Sequence, residues 1–280
     1  MTTPRTVYID GVALWAPALP DWPTARAALR GDAMPAATAA APGRRPAPAL
    51  LAANERRRAP DSVALALEVA SAAVADSGHD AKALASVFTS AHGDLPIIDA
   101  LCTTLASDPL LLSPTRFHHS VHNAASGYWA IASGSQAAST ALAAFDHSFA
   151  AGLLEAASLC ATDDAPVLLV ACDTAASGGL ASVNRSRGLL ALALVLAPWP
   201  GARSRWALRW QTRVATTQVV PLKSDAARGL AGNAMADALP LAQALALATA
   251  APLALPLGPS LHLELHLQPY RAASHPAAAA

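Results

Sequence analysis

Three consecutive residues, Asp146, His147 and Ser148, bring together a carboxylate, an imidazole and a hydroxyl, the groups of a nucleophilic serine site. With Ser139 nearby, they keep open a hydrolase or transferase that uses a serine. The members of a catalytic triad must converge in space, and sequence neighbours seldom do. The chain also lacks a G-x-S-x-G turn. A simpler role for the trio is to cap the beginning of a helix.

Two groups of histidines could in principle ligate a metal ion. His118 and His122 would share a face of a helix, and His262, Glu264 and His266 share a face of a strand. The helical pair has no evident third ligand, and the strand group is typical of the solvated side of an edge strand. We therefore expect no metal, and we assign packing and hydrogen bonding to these histidines.

The cysteines and glycines do not form a recognisable cofactor motif. Cys102, Cys160 and Cys172 show no C-x-x-C spacing, which argues against a disulfide framework and against structural zinc. Gly178 and Gly179 stand outside any G-x-G-x-x-G or G-K-[ST] context, so a nucleotide site is unsupported. We expect no cofactor.

The composition of this chain of 280 residues limits its partners. Nineteen basic and 19 acidic residues give a formal net charge of zero, which recruits neither nucleic acid nor an anionic membrane. Charged residues make up only 14% of the chain, against about 25% in ordinary soluble domains. Either part of the surface is buried against another chain, or the composition reflects a GC-rich genome.

The N-terminus has no signal-peptide pattern and no apolar segment suits a membrane span, so we expect a cytoplasmic protein.

Hydrophobic periodicity predicts strands alternating with helices. We expect strands at Thr6–Trp15, Ala85–Ser90, Ala137–Leu142, Ala165–Ala171, Leu189–Leu196, Arg205–Arg213 and Leu261–Leu267. We expect helices at Thr24–Leu29, Asp61–Ser77 (capped by Asp61 or Ser62), Leu95–Ala106, Asn123–Ser133, Phe149–Leu159 and Leu230–Ala248. This order predicts an α/β layered sheet. We predict a single domain over residues 1–271, with an irregular excursion over 17–60 and a disordered tail over 272–280.

Several segments, in the right order, resemble the short β-ketoacyl synthase-like proteins that correspond to the N-terminal half of a ketosynthase. The strongest is SPTRFHHSVHNAASGYWAIASG at Ser113–Gly134. Weaker matches are ANERRRAPDSVALALEVASAAV at Ala53–Val74, SVFTSAHGD at Ser86–Asp94 and APVLLVACDT at Ala165–Thr174. The resemblance implies one half of a thiolase-like fold, with a mixed five-stranded sheet between helices.

The resemblance also locates the family's nucleophilic cysteine, and this chain has none there. Counting from Asn123 places the position near Asp146, and counting from the following helix places it at Ala144. Every residue from Thr103 to Leu159 is something other than cysteine. Without a thiolate at a helix N-terminus, the acyl transfer of the family has no acceptor.

The resemblance therefore implies a catalytically silent subunit of the chain-length-factor type, as in aryl polyene biosynthesis, a pathway related to polyketide and fatty-acid assembly. Such a subunit pairs with an active ketosynthase and meets an acyl carrier protein through it.

The expected pocket or interface residues are Phe117, His122, Asn123, Asp146, His147 and Ser148. Two alternatives remain: an acyl-thioester hydrolase or acyltransferase that uses Ser148 or Ser139, and a pure scaffold subunit. A decarboxylase with glutamine at the cysteine position is weakly supported, since Gln136 lies well upstream. The basic run Arg56–Arg58 could meet an acidic carrier or be a solvated turn.

Overall fold

The computed structural model describes residues 6–32, 45–214 and 220–270. Their strands are β1 (Thr6–Trp15), β2 (Ala85–Thr89), β3 (Ser139–Leu142), β4 (Val167–Asp173), β5 (Leu190–Ala197), β6 (Trp206–Val214), β7 (Leu253–Pro256) and β8 (Leu261–Pro269). Their α-helices are α1 (Trp22–Arg30), α2 (Ala53–Arg58), α3 (Asp61–Ser77), α4 (Leu95–Ser107), α5 (Pro114–Ser120), α6 (Ala124–Ser133), α7 (Ser148–Asp163), α8 (Asp225–Leu230) and α9 (Leu239–Leu247). The predicted tail at 272–280 and part of the predicted excursion lie outside the described residues.

The strands form one sheet in the order β3-β2-β4-β5-β1-β6-β8-β7. Strand β2 is parallel to both β3 and β4, and every other pairing is antiparallel. The sheet is therefore mixed, as expected. It has eight strands rather than five, because the C-terminal strands β6, β8 and β7 continue the sheet beyond β1.

Helices α3 and α7 cover opposite faces of the sheet. On β4, alternate residues belong to the two cores: Leu169 packs with Phe149 and Leu153 of α7, and Val170 packs in the core that contains α3. Such burial on both faces explains why β4 is a continuous apolar run. Helix α3 lies very close to β1, since a Cβ added to Gly11 would stand 2.1 Å from the carbonyl oxygen of Ala73.

Several predicted elements are confirmed almost residue for residue. Strand Thr6–Trp15 and helix Asp61–Ser77 have the predicted bounds, and Gly78 ends that helix in the left-handed conformation. The expected side-chain cap is wrong, however. Pro60 occupies the N-cap position, and the hydroxyl of Ser62 donates instead to Asp94 at 2.7 Å.

Two predictions about the C-terminal part are wrong. Leu230–Ala248 is not one helix: turns and a 3₁₀ segment follow α8, and α9 begins only at Leu239. Pro240 favours that start, because proline suits the first turn of a helix. Leu261–Leu267 is not an edge strand, since β8 lies between β6 and β7. The edge is β7, which ends at a proline as edge strands can.

No helix of the described ranges is long and apolar enough to cross a membrane. The cytoplasmic location stays a prediction.

Candidate functional site

The parallel strands β2, β3 and β4 end at the same edge of the sheet, and helix α7 begins there. Loops at the carboxyl ends of parallel strands are the usual place for a site in α/β proteins. The segments that meet at this edge are Ser90–His92 after β2, the turn 143–147 between β3 and α7, and Asp173 at the end of β4.

Asp173 holds the loop after β2 in place. Its carboxylate accepts hydrogen bonds from the Ser90 hydroxyl at 2.7 Å, the Ala91 amide at 2.8 Å and the His92 amide at 3.3 Å. Burial raises the pKa of Asp173, and these three hydrogen bonds oppose that effect. His122 joins the same loop, with its Nε2 3.0 Å from the Ser90 carbonyl oxygen. The structure thus brings His122, one of the expected residues, to the carboxyl ends of these strands.

The turn between β3 and α7 contains the position at which the sequence predicted the family's nucleophilic cysteine to lie. Its central residue, Phe145, has a φ of 48°, which is unusual for a bulky side chain. The ring is 73% exposed and stands edge-on to His92, with the ring centroids 6.4 Å apart. Phe145 lies between the two positions, Ala144 and Asp146, that sequence counting gave for the family's cysteine.

Ser148 is a structural residue of this turn. Its hydroxyl accepts a hydrogen bond from the Ala144 amide at 3.0 Å and donates one to the Phe145 carbonyl at 2.7 Å. The residue is fully buried, so an acyl group has no route to it. His147 is the N-cap of α7, but its side chain makes no cap hydrogen bond. This geometry does not support a serine-based enzyme at Ser148.

The N-terminus of α7 is capped from a distant part of the chain. The carboxylate Oδ2 of Asp237 accepts hydrogen bonds from the amides of Phe149 at 2.9 Å and Ala150 at 3.4 Å. Its other oxygen is inaccessible and has no hydrogen-bond partner among the described residues. Burial raises the pKa of Asp237 to about 7, with the amide hydrogen bonds acting in the opposite direction. Sequence reasoning missed this residue, because nothing local in the 3₁₀ turn at 236–238 indicates a partner so far away.

Asp146 and Asp237 line the same cavity, which has a volume of about 420 Å³. Its other walls include His92, Arg187 and Asn233. Asn233 is buried, and its side-chain amide donates to the carbonyl of Asp173 at 3.2 Å and to that of Arg187 at 3.1 Å. The C-terminal segment therefore forms part of the cavity wall and is tied to Asp173 and Arg187.

None of the cysteines suits a nucleophilic role in this site. Cys102 is exposed on α4, and Cys160 and Cys172 are buried. Burial raises the pKa of the Cys160 thiol to about 12 and also raises that of Cys172. A reactive cysteine needs a lowered thiol pKa and solvent access, and the two buried residues have neither.

The histidine groups do not form a metal site. In the ranges that the structure describes, no cluster of histidine, cysteine and carboxylate side chains could hold an ion. His119 is paired with the Tyr128 hydroxyl at 2.9 Å, and burial lowers its pKa. Glu264 accepts hydrogen bonds from His266 at 2.8 Å and Gln211 at 2.6 Å, and the first of these lowers its pKa.

A larger cavity of about 640 Å³ is lined by residues of β1, α1 and α3 and shares no residue with the smaller cavity. It is bounded in part by Trp15, Trp22 and Trp206. At its wall, Asp76 accepts a hydrogen bond from the Val12 amide at 3.0 Å and pairs with Arg205 at 2.7 Å. Asp76 thus helps to hold α3 against β1. We assign the functional site to the smaller cavity, which lies at the strand ends and the helix start.

Six large apolar side chains between residues 110 and 145 are exposed. They are Leu110, Leu111, Phe117, Val121, Ile131 and Phe145, and we call them together the apolar face. Leu110 is 93% exposed and Ile131 is 85% exposed. Helix α5, which carries Phe117, contacts both α4 and α6. Strand β3 pairs only with β2 in the described residues, so its outer edge is open. Such a combination is typical of an interaction surface.

Among the expected interface residues, Phe117 belongs to the apolar face, whereas Asn123 has a local role. The Asn123 carbonyl accepts hydrogen bonds from the Gly127 amide and the Ser126 hydroxyl, both at 3.0 Å. Asn123 precedes α6 but makes no side-chain cap.

Solved structures with the same fold come from ketosynthase systems. A ketosynthase (ApeO) in complex with its chain length factor (ApeC) from Xenorhabdus doucetiae matches with a TM-score of 0.71 and 21% identity, over 93% of this chain and 99% of that chain. The ishigamide ketosynthase/chain length factor matches with a TM-score of 0.71 and 15% identity, over 94% and 99%. AntDE:AntF, a type II polyketide acyl-carrier protein in complex with its ketosynthase, matches with a TM-score of 0.71 and 12% identity, over 95% and 99%.

These likenesses confirm the thiolase-like ketosynthase half-fold that the sequence predicted. Among curated proteins, none matches this chain significantly. The family model for the β-ketoacyl synthase N-terminal domain matches residues 31–266. The chain therefore belongs to the β-ketoacyl synthase N-terminal domain family.

Proposed function

We propose that this protein is a non-catalytic, chain-length-factor subunit that pairs with an active β-ketoacyl-acyl carrier protein synthase. In this role it contributes walls to the partner's acyl pocket and carries no acyl group itself. The product class that we propose is an aryl polyene or a related polyketide-like chain.

The observation that carries this proposal is the absence of a thiol at the turn between β3 and α7. The turn holds Ala144, Phe145 and Asp146 instead, and Ser148 behind it is buried. A condensing enzyme needs a nucleophile at this place, whereas a partner subunit does not.

The apolar face and the open edge of β3 support the pairing. Burial of apolar surface lowers the free energy by roughly 25 cal/mol per Å², so burial of these large apolar side chains would favour association. A strand with an open edge can also pair with another chain. Most of these residues lie within or beside Ser113–Gly134, the segment with the strongest resemblance, and the low charge of the chain is consistent with a buried surface.

The relatives support the identity of the partner. Two of the similar structures are described as a ketosynthase with its chain length factor, and a third includes an acyl carrier protein. We infer that the carrier protein reaches this chain only through the ketosynthase.

Co-expression tests the proposal. The chain is produced with candidate ketosynthases from the same genomic neighbourhood, and the mass of the purified complex is measured by light scattering. We expect a stable hetero-oligomer, and synthase activity only when both chains are present. A chain that remains monomeric with every candidate would reject the pairing. Acyl-carrier thioester hydrolysis by the chain alone, abolished by Ser148→Ala or Ser139→Ala, would support the serine-based enzyme instead.

A further inference from the structure

Strand β1 has a strand on one of its edges as far as Trp15, but on the other edge only as far as Ile9. The first edge pairs with β5, and the second pairs with β6 over Thr6–Ile9. Beyond Ile9, the described residues place no strand on the β6 edge. The Val12 amide points to this open edge, where it donates to Asp76 at 3.0 Å. Leu14, two residues further along, therefore presents its amide and its carbonyl on the same edge.

The open edge of β1 is a wall of the larger cavity, to which Val12–Trp15 all contribute. Helix α3 bounds this space on one side of the sheet, where Ala72 lines it, and α1 bounds it on the other, where Trp22 lines it. Arg205 and Trp206, at the beginning of β6, close one end. The space therefore continues the line of β6 between two layers of helices, and we call it the slot.

The backbone at this edge calls for an occupant with hydrogen-bonding groups of its own. Leu14 is only 1% exposed, and buried backbone amides and carbonyls are almost always paired. The described strands give Leu14 no partner on this edge. An added strand satisfies such groups with its own backbone.

The described part of the chain ends beside the slot and runs towards it. Strand β8 has the same direction as β1, because both are antiparallel to β6. Tyr270, which follows β8, donates its amide to the carbonyl of Arg205 at 2.8 Å, and its ring lies edge-on to Tyr8. Arg205 in turn lines the end of the slot. Chain that continues in this direction passes Arg205 and reaches the level of Val12–Trp15.

The segment that follows Tyr270 has the length and the side chains that the slot accepts. It reads RAASHPAAAA over residues 271–280. At about 3.3 Å per residue, four extended residues span the open edge of β1. Helix α3 lies so close to β1 at Gly11 that small side chains such as alanine and serine suit the space. Pro276 has no amide to donate, so it ends the stretch that can pair after residue 275.

We propose that residues 272–275 bind in the slot as a short strand parallel to β1 and pair with the backbone of Leu14. The sheet then has a strand along the whole of β1 on both edges. This inference goes beyond the pairing with a ketosynthase and holds whether or not that pairing occurs.

Disulfide cross-linking tests the contact. Cys102→Ser first removes the exposed native thiol. Ala72→Cys, an exposed position that lines the slot, is then combined in separate proteins with Ala272→Cys or Ser274→Cys. Both tail positions are used because alternate residues of a strand share a face. Ala75→Cys is the matched control, since Ala75 is also exposed on α3 but does not line the slot.

Oxidised glutathione starts the reaction, and mass spectrometry under non-reducing conditions follows it. A disulfide requires Cα atoms about 4.4–6.8 Å apart, so only a tail held in the slot brings the thiols together persistently. With Ala72→Cys we expect an intramolecular disulfide to form at least about tenfold faster than with Ala75→Cys, for one of the two tail positions.

Hydrogen exchange supplies a second test that needs no cysteine. The full chain is compared with a chain that stops after Tyr270, and amide exchange is followed by NMR. The truncation should speed exchange of the Leu14 amide by at least about tenfold, because the amide loses its partner. The Ala13 amide is the internal control, since it points to the edge that pairs with β5 and should keep its rate. A general loss of stability would speed both.

Three results would overturn the proposal. The first is equal cross-linking from positions 72 and 75, with the Leu14 amide exchanging at the same rate in both folded chains. The second is a disulfide that joins two chains instead of closing within one, because the slot would then receive the tail of a second copy. The third is a Leu14 amide that is protected only when a ketosynthase is added, which would assign the slot to a strand of that partner.

Discussion

A Cβ atom added to Gly11 would stand 2.1 Å from the carbonyl oxygen of Ala73. Helix α3 and strand β1 thus approach so closely that only glycine fits between them. Strand β1 pairs with β5, and β5 pairs with β4, so the contact lies two strands away from β4, which carries Asp173.

Gly11→Ala should destabilise the protein, because the obstacle is backbone and cannot rotate away. Overpacking of this kind costs typically about 1–3 kcal/mol. The measurement is the free energy of unfolding in urea. Gly127→Ala is the matched control, since its added Cβ would meet nothing within 4 Å and α6 would exchange glycine for a good helix former. We expect that variant to gain up to about 1 kcal/mol. Equal effects of the two substitutions would contradict the close approach.

The stability of the protein should depend on pH through Asp237. Its pKa is raised to about 7 in the folded state, against about 3.9 in an unfolded chain. Between these values the folded state holds the proton more tightly, so the free energy of unfolding decreases as the pH rises from about 4 to about 7. Asp237→Asn should remove this contribution, whereas Asp173, whose pKa is also raised, acts in both proteins.

Urea unfolding at several pH values checks this prediction. From about pH 4 to about pH 7, the free energy of unfolding of the wild type should fall by roughly a few kcal/mol more than that of Asp237→Asn. A difference that is constant from pH 4 to pH 7 would show that the carboxylate titrates normally.

The sequence predicted seven of the eight strands, because their patterns are local, and it missed β7. Strand β4 is apolar from Val167 to Cys172, and helix α3 ends at Gly78, a residue that favours the left-handed conformation found there. It did not predict the connections that close the site. Asn233 and Asp237 act through the carbonyl of Asp173 and the amide of Phe149, which are distant in sequence. No periodicity records such contacts, since a polar residue in a turn looks the same whether it is solvated or buried.

The expected site residues illustrate the same limit. The family resemblance placed the cysteine position near Asp146, and the structure shows the neighbouring Phe145 to be the residue with the left-handed backbone. Ser148 had the right chemical type for a nucleophile, but only the fold reveals that its hydroxyl is enclosed by Ala144 and Phe145.

The apolar face should be the surface that binds the ketosynthase. Ile131→Glu places a charge on a side chain that is 85% exposed, so the isolated protein should fold normally. In the complex that charge would be buried without a partner, which is costly. We expect the affinity for the ketosynthase to fall at least about tenfold, measured by titration calorimetry. Val214→Glu is the control. Val214 is similarly exposed, and it lies at the end of β6, five strands away from β3 in the sheet. Loss of binding in both variants, or in neither, would contradict this assignment.

Phe145 should influence the length of the product. The ring is exposed at the turn where the family's nucleophile would be, beside the open edge of β3, and its backbone is held in a conformation that costs about 1 kcal/mol or more for a non-glycine residue. If it forms a wall of the partner's acyl pocket, Phe145→Ala should enlarge that pocket and shift the products of the reconstituted complex towards longer chains, as measured by mass spectrometry. Phe145→Trp should shift them towards shorter ones. Val214→Ala should leave the distribution as it is. Unchanged products with all three variants, in complexes that still assemble, would favour a scaffold that binds the synthase without touching its acyl chain.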